Sequence, residues 1–269
     1  MKKSHFYIFI FLYILSLLYL ILTLPIGPNE AKIFFIKNEI LHHISNLFYG
    51  FFKNNLDFRV IFLIFGILNI YLFFLISKIY LIDSSKSYFA TFVFALLPGI
   101  ITSSVIINLD VFIITLVLIF ILANYKRLKV LEILTMIILL LIHKASAIFF
   151  ISVSIYFAFK RDKIMFTLSI LFTATSIIYF NGLDIGGKPK GTFLALFGLY
   201  SAIFSPIIFI TFFYSLYRIW LRDKKDILWY ISSTAFIISI FLSLRQKVTN
   251  HRLCPICNSG YYTYSVNIL

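Results

Sequence analysis

The sequence predicts an all-α fold: a polytopic transmembrane helical bundle of about nine spans, with an amphipathic interfacial helix after the first span. Three observations carry that prediction. The 269 residues are 61% hydrophobic and only 13% charged, with a mean hydropathy of +1.00, which is more apolar surface than a soluble domain of this size buries. The apolar runs are long enough, as helices, to cross a hydrocarbon core of about 30 Å, and they lack the strict alternation of outer-membrane strands. Short clusters of Lys and Arg separate them, as at Lys126, Arg127 and Lys129 or Lys160, Arg161 and Lys163.

The elements follow in order. "MKKSHFYIFIFLYILSLLYLILTLP" has the basic start of a signal peptide but lacks an A-x-A-like cleavage site, so it reads as a retained span over 6–25. Segment 30–53 is too polar to cross, yet Phe34, Phe35, Ile40, Leu41, Ile44, Leu47 and Phe48 recur at roughly helical spacing, which predicts a helix lying in the interface. Further spans are predicted over 58–80, 87–106, 109–124, 129–143, 145–159, 164–180, 192–217 and 227–244. The segments 87–124 and 129–159 read as tight hairpins.

A formal net charge of +14 would suggest nucleic acid in a soluble protein. In a membrane chain most of it is accounted for by cations retained in cytoplasmic loops, so no nucleic-acid partner is expected. Placing the Lys/Arg clusters inside puts the N-terminus in the cytoplasm of a bacterial inner membrane. Glu30, Lys32, Asp57, Arg59, Asp110, His143 and Lys144 then lie at or near the outer, periplasmic surface.

Each polar candidate has two readings. Glu30, after the helix-breaking "PIGP", is either a general base or a carboxylate complementing a helix N-terminus. Asp110 is either a functional carboxylate at the mouth of an apolar run or a helix cap, a position that Asn108 also suits. His143 and Lys144, between two short apolar runs, would either meet an anionic headgroup or phosphate or simply snorkel. The loop "NGLDIGGKPKGT" over 181–192 has glycines and lysines but no P-loop spacing. "HRLCPICNSGYY" looks like half a zinc ribbon; Cys254 and Cys257 lack a second pair, so no metal site and no disulfide framework is expected. The abrupt turn to a polar tail over 248–269 suggests a shift of reading frame near residue 248, leaving 1–247 as the membrane domain.

Taken in order, these features resemble the GT-C glycosyltransferases of the protein O-mannosyltransferase and aminoarabinose transferase type (glycosyltransferase family 39-like). The residues carrying the resemblance are "PNEAKIFF" after the first span, the helix that follows it, and Arg59 opening "LDFRVIFLIFGILNIYLFF". Leu96, Leu97, Pro98 and Gly99 with Asp110 match the family's hairpin, and His143, Lys144 and Ala145 match another loosely. It covers roughly residues 5–245, the N-terminal part of a usual member, so the chain looks C-terminally truncated.

The resemblance implies transfer of a sugar from a polyprenyl-phosphate donor to an acceptor glycan, lipid or protein on the non-cytoplasmic face, without ATP or nucleotide sugar; no cofactor is expected, and a divalent metal stays open. Glu30 and Asp110 would be the catalytic carboxylates; Arg59, Lys144, His143 and Lys32 would hold the donor phosphate. Glu30, Asp110 and Lys144 are expected to approach a common cavity. One departure stands out: Asn29 occupies the position of the family's first acidic residue, and a shift by one residue turns a helical side chain by about 100°. The alternatives are a lipid or solute transporter, disfavoured because Glu132 is almost the only ionisable group within the spans, or a non-catalytic membrane subunit.

Overall fold

A computed structural model of the protein describes residues 3–35, 40–52, 54–81, 83–180, 193–221 and 225–245. The loop 181–192 and the tail 248–269, with Cys254 and Cys257, lie outside these residues. The described residues form helices and turns only, arranged in two compact units, Met1–Leu122 and Ala123–Leu253.

The first unit opens with α1 (Lys3–Thr23), followed by α2 (Pro28–Phe35), α3 (Ile40–Ser45) and a 3₁₀ turn, Asn46–Phe48. The predicted interfacial helix is therefore two short helices and a turn. Next come α4 (Leu56–Tyr80), α5 (Ser84–Ala95), α6 (Pro98–Val105) and α7 (Asp110–Tyr125), whose last turn enters the second unit. α5 and α6 meet at 61°. The break has a local cause: Pro98 has no N–H to continue the ladder, and Leu97 before it is extended, with ψ 127°.

α4 is the central element of this unit. Tyr13, Leu17 and Ile21 of α1 bury with Leu63 and Ile70 of α4, Ala95 of α5 and Val105 of α6. At Gly66 a Cβ would stand 2.2 Å from Ser104 Oγ, so only glycine lets α6 approach this closely. Across α4 and α5, Ser77 Oγ donates to Ser87 O at 3.4 Å and Ser87 Oγ to Ser77 O at 3.3 Å. The rings of Phe73 and Phe94 stack at 4.0 Å across the same interface. α7 enters through Phe112, which packs edge-on against Phe62 and Phe65 of α4.

The second unit contains α8 (Lys129–Ile142), α9 (Ser146–Lys160), α10 (Lys163–Tyr179), α11 (Phe193–Phe204), α12 (Pro206–Trp220) and α13 (Ile227–Arg245). α9 packs against α8, α10 and α13. Its facing surface holds Phe150, Val153 and Phe157, and the small residues Ser146 and Ser152 allow close approach. The α11–α12 pair bends by 106° at Ser205, which takes φ 67° directly before Pro206. An aromatic cluster of Tyr200, Phe209 and Phe236 closes that end, with Tyr200 Oη donating to Ser239 Oγ at 2.9 Å.

α1 (mean hydropathy 2.4) and α4 (2.6) are long and apolar enough to cross a membrane. Counting each bent pair as one span raises the number to four among the described residues. α7, α9, α10 and Ile227–Phe241 are shorter apolar helices of 10–17 residues. The expected nine spans are not reached by length, because several apolar runs include the turns at their ends. At about 1.5 Å per residue, a 15-residue helix reaches only about 22 Å.

Candidate functional site

α1 ends at Thr23 and leaves its last carbonyls without helical partners. Arg59, in the first turn of α4, supplies them: Nη1 donates to Leu24 O at 2.8 Å and Ile21 O at 3.3 Å, and Nη2 to Pro25 O at 3.0 Å. Asn55 Nδ2 adds a bond to Leu24 O at 3.1 Å. The rest of the guanidinium faces Glu30, with Nε to Oε1 at 3.1 Å and Nη2 to Oε2 at 2.5 Å. Arg59 is 1% exposed and Glu30 6%. All five guanidinium N–H groups are thereby engaged.

Glu30 is equally engaged. Gly27 N–H donates to Oε2 at 2.9 Å, and Ile107 N–H, from the α6–α7 connection, donates to Oε1 at 3.0 Å. Two side-chain and two backbone donors occupy the roughly four lone-pair sites of a carboxylate. This one ion pair therefore ties together the end of α1, the start of α2, the start of α4 and the α6–α7 connection.

A second buried carboxylate organises the neighbouring loop. Asp57, 5% exposed, accepts from Gly50 N–H at 3.0 Å and Phe52 N–H at 2.5 Å. Gly50 makes that turn with φ +85°, a conformation that suits glycine. Between the two carboxylates lies a cavity of about 610 Å³, walled by Glu30, Asp57, Ile26, Tyr49, Phe58 and Ile107 among others. That volume falls within the roughly 300–1,000 Å³ typical of small-molecule sites, and the largely apolar lining with a few polar groups is also typical.

The expected residues separate as follows. Glu30 and Arg59 come together and Glu30 walls the cavity. Asp110 is buried, one turn along from Ile107, but is not among the residues walling the cavity. It opens α7, and Asn108 Oδ1 accepts the N–H groups of Asp110 at 3.0 Å and Val111 at 3.4 Å, so the cap is Asn108. Asn69 of α4 secures the same turn, Nδ2 donating to Val111 O at 3.0 Å. Lys32 and Asn29 are exposed. His143 and Lys144 form the α8–α9 turn of the second unit, where His143 Nδ1 accepts from Ala145 N–H at 3.0 Å. Of the residues expected at a common cavity, Glu30 walls this one and Asp110, in the same unit, does not.

Sequence reasoning did not single out Asp57 or Asn55 as site residues. Arg59 gave no signal for them, because its acceptors are Glu30 and the carbonyls of Ile21, Leu24 and Pro25. In the second unit, Glu132 is also buried and accepts from Asn124 Nδ2 at 3.4 Å, while Tyr156 Oη donates to Asn124 Oδ1 at 3.1 Å. Nearby, the bond from Lys129 Nζ holds the Asp162 carboxyl below the usual aspartate range, helped by Met165 N–H.

No family model, no curated protein and no solved structure matches the chain.

Proposed function

We propose that the protein is an integral membrane glycosyltransferase that moves a sugar from a polyprenyl-phosphate donor to an acceptor hydroxyl at the non-cytoplasmic surface. The observation that carries the reading is the cavity of about 610 Å³ beside the end of the first apolar helix, with two buried carboxylates in its wall. A donor whose lipid stays in the bilayer requires its reacting carbon to sit at such an end. The two motifs on which the resemblance chiefly rests, Glu30 after the first span and Arg59 opening the next, form one ion pair there.

In this reading Asp57, which faces the cavity, takes the proton from the acceptor hydroxyl. The acceptor oxygen forms its bond to the sugar's anomeric carbon as the bond from that carbon to the phosphate oxygen breaks. The electron pair leaves with the polyprenyl phosphate, whose charge is met by Lys32, exposed on α2 next in sequence to the cavity-lining Ala31. Glu30 and Arg59 are positioning residues, because their donors and lone pairs are already engaged. Asp110, at the head of α7, remains the second carboxylate to test.

The same engagement favours a second reading. With Glu30 occupied by four hydrogen bonds and Asn29 in place of the family's acidic residue, the chain would be a non-catalytic membrane subunit that keeps the fold. Donor binding and cleavage by the purified chain in liposomes separate the two. The enzyme reading expects Asp57→Asn to lower cleavage by about 10²–10⁴-fold while donor binding persists. Binding without cleavage in the parent chain supports the subunit reading instead.

A further inference from the structure

The second unit carries a feature that the transfer reaction does not use: two helix ends built alike and held side by side. At the end of α7, Arg127 has φ 57°, its N–H bonds to Asn124 O at 3.2 Å, and Leu128 N–H bonds to Ala123 O at 2.9 Å. At the end of α9, Arg161 has φ 60°, its N–H bonds to Ala158 O at 3.2 Å, and Asp162 N–H bonds to Phe157 O at 3.2 Å. Both are Schellman caps. Their left-handed position ordinarily belongs to glycine, which escapes the clash of a Cβ there. Here both caps carry arginine, so each accepts a steric cost and gains a cation.

The two turns adjoin. Lys129 Nζ bonds to Asp162 Oδ2 at 2.9 Å, linking the second residue after Arg127 to the residue after Arg161. Lys160 Nζ is turned back onto Tyr156, 3.1 Å from its Oη and 5.1 Å from the ring centroid. Lys126, Arg127, Lys129, Lys160, Arg161 and Lys163 are all exposed, and among the described residues the carboxylates beside them are Asp162 and the buried Glu132. Large apolar side chains flank the cations: Val130 is 83% exposed, Phe159 72% and Ile164 67%.

We infer that the paired α7 and α9 caps form a binding site for an anionic phospholipid. The cations receive the headgroup phosphate, and Val130, Phe159 and Ile164 lie against its acyl chains. Charge selects an anion, and the exposed apolar flank selects one that carries hydrocarbon, since a soluble polyanion gains nothing from Phe159 or Val130. The inference needs only that the protein lies in a membrane and does not rest on the transfer reaction.

The test is native mass spectrometry of the full chain in detergent, offered equimolar phosphatidylglycerol and phosphatidylcholine. The parent is expected to retain phosphatidylglycerol preferentially. Replacing both cap arginines with glycine (Arg127→Gly with Arg161→Gly) should cut that preference by roughly fivefold per cation removed. Because glycine suits the left-handed position, the variant should melt at or above the parent temperature, which separates loss of the site from loss of the fold. Lys126→Gln with Lys163→Gln, at positions without backbone strain, should move the preference the same way. Equal retention of the two lipids by the parent, or an undiminished preference in both variants, would overturn the inference. A tenfold excess of inorganic phosphate should leave the lipid in place; displacement would mean a small-anion site and would also overturn it.

Discussion

Arg59 and Glu30 leave no donor or lone pair unengaged, and at this scale the site is an architectural clamp. A buried pair of this kind says little about net stability, but removing one partner leaves a charge with no solvent to return to. Glu30→Gln should therefore destabilise the protein by about 3–5 kcal/mol, read as a lowered melting temperature in detergent. Arg59→Lys should also destabilise it, because an ammonium offers three donors where the fork offers five. An unchanged melting temperature in both would remove the clamp. The sequence marked both residues, but not as each other's partner: Glu30 reads as a lone carboxylate until Ile107, distant in the chain, brings its N–H to it.

Asp162 gives the pH dependence at this scale. Its folded pKa lies below the ordinary aspartate value because Lys129 hydrogen-bonds it. The stability it contributes is thus present above the ordinary range and lost as pH falls through the lowered folded value. Lys129 is 55% exposed, so the ion pair itself is worth no more than about 1 kcal/mol. Asp162 also caps α10 by accepting from Met165 N–H. Asp162→Ala should cost about 1–2 kcal/mol near neutral pH. The gap between parent and variant should narrow as pH falls through the lowered folded pKa; a gap that does not change with pH would assign the effect to packing.

Among the elements, α4 against α6 is the contact most sensitive to a single methyl group. Gly66→Ala would set its Cβ 2.2 Å from Ser104 Oγ and 2.6 Å from Ser104 Cβ, so rotating the serine does not relieve the clash. We expect a loss of about 1–3 kcal/mol, recovered in large part by pairing Gly66→Ala with Ser104→Gly. Failure of the second change to recover stability would mean that the helices simply move apart. Helix positions were largely legible: the runs at 58–80, 145–159 and 164–180 each became one helix because apolar composition and flanking charges agree there. The region 30–53 was less so. Its apolar spacing suits a helix throughout, but Gly50 and the pull of Asp57 on the Gly50 and Phe52 amides turn the chain within it. The α5–α6 bend was written in Pro98 and the α11–α12 break in Pro206, whereas the size of the second bend goes with φ 67° at Ser205.

At the scale of the whole molecule, composition made the membrane class legible, but the number of spans depends on where helices stop. That is decided by caps such as Asn108 and Arg161 and not by hydropathy. The candidate site was half legible. The end of the first span was marked by Glu30 and Arg59, but the second carboxylate walling the cavity beside Glu30 is Asp57. The account's central claim is that this cavity serves sugar transfer from a lipid-linked donor. The measurement that tests it most directly is release of free polyprenyl phosphate from polyprenyl-phosphate sugars by the purified chain in liposomes, for the parent and for Asp57→Asn and Asp110→Asn. The account predicts release by the parent that rises with added acceptor, and its loss in Asp57→Asn at a temperature where the variant still binds donor, since the amide leaves one of the Gly50 and Phe52 N–H groups without its acceptor and lowers the melting temperature. Release that survives Asp57→Asn, or no release from any donor by a folded parent, would contradict it.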